Sequence, residues 1–253
     1  MKTRTTLSVL VTCLFISTAS FSQSPAAVIL GKNIIKWNLS ALAIEQYGIQ
    51  YEHVISPVHS YCIGFGVSPN VELPFKSQLL DQFGDNADAK KAIESTKFTK
   101  YTVTPEYRFY LGKAAPKGFY VATFIRYTNM TIDQVYPYTP SNGIPHTAQM
   151  NGKISGVGAG AMIGTQWLIG PSVTLDLWMV GPFIGAMDAS FHGTGDMSDM
   201  NAADVAKLES DIESVKIPLW TIDATVGSNV VDVKMKGPFY GVRLLGFCFG
   251  FRF

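Results

Sequence analysis

Asp188-Ala189-Ser190-Phe191-His192 puts an acid, a hydroxyl and an imidazole within five consecutive residues. A serine beside a base is the minimum for nucleophilic catalysis, because the hydroxyl must give up its proton as it attacks. The chemistry such a pair would serve here is modification of an outer-leaflet lipid. Closeness along a chain is not triad geometry, however, and the segment runs directly into Gly193 and Gly195. The remaining histidines, His53, His59 and His146, fall in other segments. Asp196, Asp199, Asp204 and Asp211 crowd one stretch without the Asp-x-Asp-x-Asp-Gly spacing of a calcium loop, so they read as a solvated acidic loop. Gly156, Gly158, Gly160 and Gly164 recur with a period of two and no helix start behind them, which argues against phosphate binding. No catalytic, metal-ligating or cofactor-binding residue is expected.

The charges that matter more are spread thinly along alternating segments. In residues 100–109, Lys100, Thr102, Thr104, Glu106 and Arg108 share one face, while Tyr101, Val103, Pro105, Tyr107 and Phe109 share the other. Strict alternation is the strand signature. Pro105 has no N–H to give a ladder, so it should mark a bulge or an interrupted pair. The same period runs through residues 34–44, 47–55, 60–68, 118–131, 153–167, 173–186 and 239–253. Collected over these eight segments, the polar faces carry Lys36, Glu52, Glu106, Arg108, Arg126, Asp176 and Arg252. Four are basic and three acidic. An eight-stranded barrel has an interior just wide enough for side chains to fill. A near-balanced set inside it is expected to interlock as a polar plug, since unpaired charges there would be costly.

Composition points the same way. The 253 residues suit one sizeable domain, with 47% hydrophobic and only 15% charged residues. Ordinary soluble domains carry roughly 25% charged residues. Beyond the N-terminus nothing approaches the ~18–20 apolar residues of a membrane-spanning helix. The first 22 residues read as a cleaved export signal: Lys2 and Arg4, an apolar run over 7–16, then small Ser20 and Ser22 before Gln23. The net charge is +1, from 20 basic and 19 acidic residues, and becomes −1 once that leader is gone. No basic field invites nucleic acid. Cys62 and Cys248 sit on inward faces three strands apart, too far for the ~7 Å that a disulfide tolerates, and should be free buried thiols.

The final segment is the most specific. Leu245, Phe247, Phe249, Phe251 and Phe253 share a face, opposite Gly246, Cys248, Gly250 and Arg252. Soluble barrels turn bulk inward; large aromatics against small or ionised residues is the inside-out pattern of a wall between lipid and a narrow lumen. The connections alternate as well. Turns at 56–59, 112–117 and 168–171 are short, whereas 69–97, 133–152 and 189–237 are long, and only 45–46 breaks the pattern. Short periplasmic turns and long outside loops are the asymmetry of outer-membrane barrels. Residues 76–94 and 202–215 read as short helices within those loops, and Tyr136-Pro137-Tyr138-Thr139-Pro140 as an exposed aromatic turn.

Ile35-Lys36-Trp37-Asn38-Leu39 with Tyr51-Glu52, and Thr104-Pro105-Glu106-Tyr107-Arg108-Phe109-Tyr110-Leu111-Gly112-Lys113 followed by Gly118-Phe119-Tyr120, resemble a family of small outer-membrane barrel proteins of unknown function in Gram-negative bacteria. The resemblance covers residues 30–253 and implies architecture and location, with no catalytic residue to carry over. A terminal aromatic at Phe253 also resembles the signature by which such strands meet the barrel assembly machinery. The expectation is therefore an all-β, monomeric, eight-stranded antiparallel up-and-down transmembrane β-barrel over residues 23–253. It would sit in outer-membrane lipid with both termini periplasmic, and its long loops would serve adhesion, recognition of an extracellular ligand or envelope integrity. The alternatives are a lipid-modifying enzyme using Ser190 and His192, a narrow solute channel, or a periplasmic lipocalin-like barrel.

Overall fold

The computed structural model describes residues 31–73, 76–83, 87–112, 114–138, 143, 146–196, 200–214, 218–227 and 229–253; the expected leader over residues 1–22 lies outside them. Nine strands follow in chain order: β1 (Asn33–Asn38), β2 (Tyr47–Val54), β3 (His59–Glu72), β4 (Lys97–Tyr110), β5 (Gly118–Tyr138), β6 (His146–Ile169), β7 (Val173–Thr194), β8 (Thr221–Val226) and β9 (Val230–Arg252). Strands β1 to β7 pair in sequence, β9 pairs with β7, and β9 pairs again with β1. That last pairing closes a ring of eight antiparallel strands, with β8 attached outside it to β9. Three helices, α1 (Lys76–Phe83), α2 (Ala87–Ser95) and α3 (Ala202–Glu213), lie between strands. No helix among the described residues is long and apolar enough to cross a membrane, which says nothing about strands.

The ring is staggered. From Phe249 one row of paired residues runs through Trp37, Ile49, Phe65, Val103, Tyr127, Val157 and Ala186, and returns to β9 at Pro238. The return lies eleven residues from the start. At ~3.3 Å per residue and ~4.8 Å between strands, that stagger tilts eight strands by about 40°.

Two expected boundaries are corrected. Residues 34–44 do not form one strand: β1 stops at Asn38 and a 3-10 turn follows over Ser40–Ile44. The Asn38 carboxamide causes the break, its Oδ1 accepting from Ala41 N at 3.1 Å and Ser40 Oγ at 2.8 Å in place of the ladder. The connections expected over 133–152 and 189–237 are mostly folded: β5, β6, β7 and β9 are 21 to 24 residues long and continue far past the ring, and β8 and α3 occupy much of the rest. The loop over 69–97 does carry two helices, and α2 packs on β5. Pro105 marks an interrupted pair rather than a bulge, because Val103–Tyr127 and Glu106–Phe124 keep one register across it.

The long strands were hidden by a change of phase. In the ring the outward row Tyr127, Val157, Ala186, Pro238 is apolar. The next outward row is Asn129, Ser155, Asp188, Lys236, and the one after is Thr131, Lys153, Ser190, Lys234, Asp223. On the opposite face the change is reversed. Arg126 and Thr128 give way to Met130 and Ile132, which stand in rows with Ile154, Ala189, Met235 and Ile222, and with Gly152, Phe191, Val233 and Ala224. A second apolar cluster forms there, with Val205, Leu208 and Ile212 of α3 covering the sheet. Each strand keeps its period of two while the oily side swaps from one face to the other.

Candidate functional site

Inside the ring, at the end with the short turns, six ionised side chains form one closed cluster. Lys36 Nζ lies 2.5 Å from Glu52 Oε2 and 2.7 Å from Asp176 Oδ2. Arg108 reaches Asp176 Oδ2 at 2.6 Å and Glu106 Oε2 at 2.9 Å. Arg243 reaches the other oxygen of Glu106 at 2.7 Å. Three cations thus face three carboxylates, and all but Arg243 are fully or almost fully buried. Neutral donors meet the outer carboxylate oxygens: Ser60 Oγ and Tyr110 OH donate to Glu52 Oε1 at 2.6 and 2.8 Å, and Tyr120 OH donates to Asp176 Oδ1 at 2.8 Å. Gln166 Oε1 accepts from Lys36 at 2.6 Å and Gln50 Oε1 accepts from Arg108 at 3.2 Å. Desolvating ions is tolerable only with this completeness of pairing.

Of the seven residues expected to line the interior, Lys36, Glu52, Glu106, Arg108 and Asp176 meet here. Arg126 stands higher, its guanidinium 3.5 Å from Thr104 Oγ1 with no carboxylate in ion-pair range among the described residues. Arg252 sits at the rim, donating from Nε to Gly31 O at 2.6 Å. Tyr110, Tyr120 and Gln166 were missed although they share the inward parity of Arg108, Arg126 and Asp176. Arg243 carried no such signal. By parity with Phe247 it belongs outside, but the backbone slips a residue at Leu245, whose φ of 31° leaves Leu244 and Leu245 both exposed on one face. A matching irregularity in β7 shifts its register against β6 between Ile163 and Gly164. Below these slips Trp178 points inward, and above them Arg243 and Phe183 do. The Arg243 guanidinium lies 4.8 Å from the Trp178 ring and 4.9 Å from that of Phe124.

The glycines of β6 make room for this interior. A Cβ on Gly160 would stand 2.8 Å from Phe124 Cζ, and one on Gly158 2.9 Å from Phe183 Cδ2. Above the charged cluster the lumen opens into a cavity of about 500 Å³. Its floor holds Gln50, Cys248 and Arg243, one wall holds Trp178, Phe183 and Phe239, and the facing wall holds Lys100, Thr102, Thr104, Arg126 and Thr128. The cavity runs to an edge of β9 that no described strand covers, since pairing with β1 ends at Cys248 and pairing with β8 begins at Lys236. The 3-10 turn forms its lip through Ser40, Ala41 and Ile44. Cys62 and Cys248 are free and buried.

The Ser190–His192 segment lies on the polar outer face of the extension. His192 Nδ1 is 2.7 Å from Asp232 Oδ1, its cross-strand partner, and both side chains are about half exposed. Ser190 is two residues along the same face, opposite Lys234, and no hydrogen bond among the described residues joins it to His192. An acid–base dyad is present there, without a nucleophile in contact. Among the described residues there is no cluster of three or more metal-ligating side chains.

No family model, no curated protein and no solved structure matches this chain.

Proposed function

We propose that the ring is an outer-membrane β-barrel, closed at its periplasmic end by the charged cluster, which presents the sheet extension, α3 and the vestibule at the cell surface for recognition or envelope integrity. The observation that carries this reading is the swap of oily faces at one level of the long strands. On β1, β2, residues 59–67 of β3, residues 101–109 of β4, and the longer strands up to Tyr127, Val157, Ala186 and Tyr240, no outward position carries Asp, Glu, Lys or Arg. On β6 the apolar run from Val157 to Ile169 climbs about 30 Å at the tilt above, which matches the hydrocarbon thickness of a bilayer. Tyr107, Phe109, Phe119, Trp167 and Phe251 gather outward near the short-turn end, and Tyr47, Tyr101, Tyr127 and Tyr240 near the other, as aromatic girdles do. A soluble protein exposing so wide an apolar surface would aggregate.

The charged cluster fills the interior across its section, so the barrel is proposed not to conduct. The half-exposed dyad at His192 gives a lipid-modifying activity no nucleophile in contact, and display is the reading we favour.

The test exploits the two buried thiols. Lys207→Cys on exposed α3 should react with a membrane-impermeant maleimide on intact cells, while Lys117→Cys at a short turn should react only after the envelope is opened. The reverse pattern, or recovery of the chain in the soluble periplasmic fraction, would sink the proposal. Stepwise conductance in a planar bilayer would remove the plug from it.

A further inference from the structure

The vestibule is built from donors. Arg126 and Lys100 face it from neighbouring strands, and neither has a carboxylate within ion-pair range among the described residues. They stand two pairs apart on one inward face: Lys100 is paired with Met130 and Thr102 with Thr128, and Arg126 is the next inward residue of β5. Like charges facing one cavity repel. Beside them Gln46 Nε2 and Thr128 Oγ1 are enclosed, with no hydrogen-bond partner among the described residues. Gly66 clears the space for that amide: a Cβ there would stand 2.6 Å from Thr102 Oγ1 and 2.9 Å from Gln46 Nε2. Two cations facing one cavity, with no carboxylate in ion-pair range among the described residues, favour an acceptor carrying negative charge. Across from them the surface changes character. Phe183 and Phe239 lie with ring centroids 4.9 Å apart, and Trp178 continues the wall toward the floor.

We infer that this vestibule binds a small organic anion with an aromatic or compact apolar body, its charged group on Arg126 and Lys100 and its body against Phe183, Phe239 and Trp178. About 500 Å³ suits a molecule of metabolite or drug size and excludes a lipid with its chains. The cluster around Glu106 and Asp176 lies below as a closed floor, so the site does not continue to the short-turn end of the ring. The inference rests on the ring interior alone and stands whatever surrounds the ring.

The experiment is calorimetric titration of the full chain in non-ionic detergent with naphthalene-2-sulfonate, against empty micelles and against the neutral naphthalene-2-sulfonamide. The sulfonate should bind one per chain and weaken as salt is raised. Arg126→Met combined with Lys100→Met should lower the affinity tenfold or more, in line with the strength of charge-assisted hydrogen bonds. Arg126→Lys should recover part of that loss. Should the double variant lose its β-sheet circular dichroism, Arg126→Met alone takes its place, with an expected loss of several-fold. Heats no larger than those of micelles, equal affinity for the sulfonamide, or an undiminished affinity in a folded variant would each overturn the inference.

Discussion

The lower and upper halves of the same four strands solve opposite solvent problems. Within the ring, β5, β6, β7 and β9 turn Ile125, Ile163, Ile184 and Val242 outward and keep glycines and polar groups inside. Higher up the same strands turn Thr131, Lys153, Ser190 and Lys234 outward, and β9 buries Val231 and Val233 beneath α3. The ring hides its ions and shows its oil; the extension does the reverse. Neither half could exchange surroundings with the other. An antiparallel sheet keeps its hydrogen bonds whichever face is oily, so side chains alone choose the medium that each level tolerates.

The largest way to break this contrast is to attack the ring where its ions are hidden. Arg108→Met leaves Asp176 and Glu106 short of a cation in a dry interior, and should cost about 3–5 kcal/mol in denaturant unfolding of the detergent-folded ring. Amide exchange in α3 and β8 should change far less, because their packing is separate. Second comes the outward face. Ile163→Arg, near the middle of the apolar run, should destabilise insertion into vesicles by about 2–4 kcal/mol. Ser190→Arg, on the same outward side above the change of phase, should stay within about 0.5 kcal/mol of the parent. Equal penalties at both sites would erase the distinction between the two levels.

The smaller effects sharpen the other half. Val233→Ala removes two methyl groups from the patch under α3 and should cost about 1.5 kcal/mol, read as faster exchange in α3 and β8 with the ring protected. Asn201 caps α3, its Oδ1 accepting from Ala203 N at 2.8 Å and Asp204 N at 3.0 Å while the Asp204 carboxylate takes the Asn201 N–H at 3.3 Å. Asn201→Ala should loosen that helix by about 1 kcal/mol and leave ring unfolding unchanged.

Much of this arrangement was legible in the chain. The alternation around Tyr101–Phe109 and Phe247–Phe253 located strands and named their outward faces, because a pleat repeats every two residues whatever it packs against. It also marked Lys36, Glu52, Glu106, Arg108 and Asp176 as inward. Three things were not legible. The oily phase of β5 reverses beyond Thr128, so a search for one continuing phase ends the strand early and reads a loop. Leu245 is an ordinary leucine by type, and nothing in its neighbours announces a left-handed backbone that turns Arg243 into the lumen. That no carboxylate among the described residues reaches Arg126 is a fact about distances between strands, which composition cannot supply.

Local sequence therefore determined what each face of each strand is made of: period, polarity and the small residues that let rings enter. Which faces meet was decided only on closure, when the eleven-residue stagger brought Lys36 of β1 beside Asp176 of β7, 140 positions away. The physical reason is that alternation is written within a few residues, whereas register is fixed by the joint fit of all eight strands around one interior.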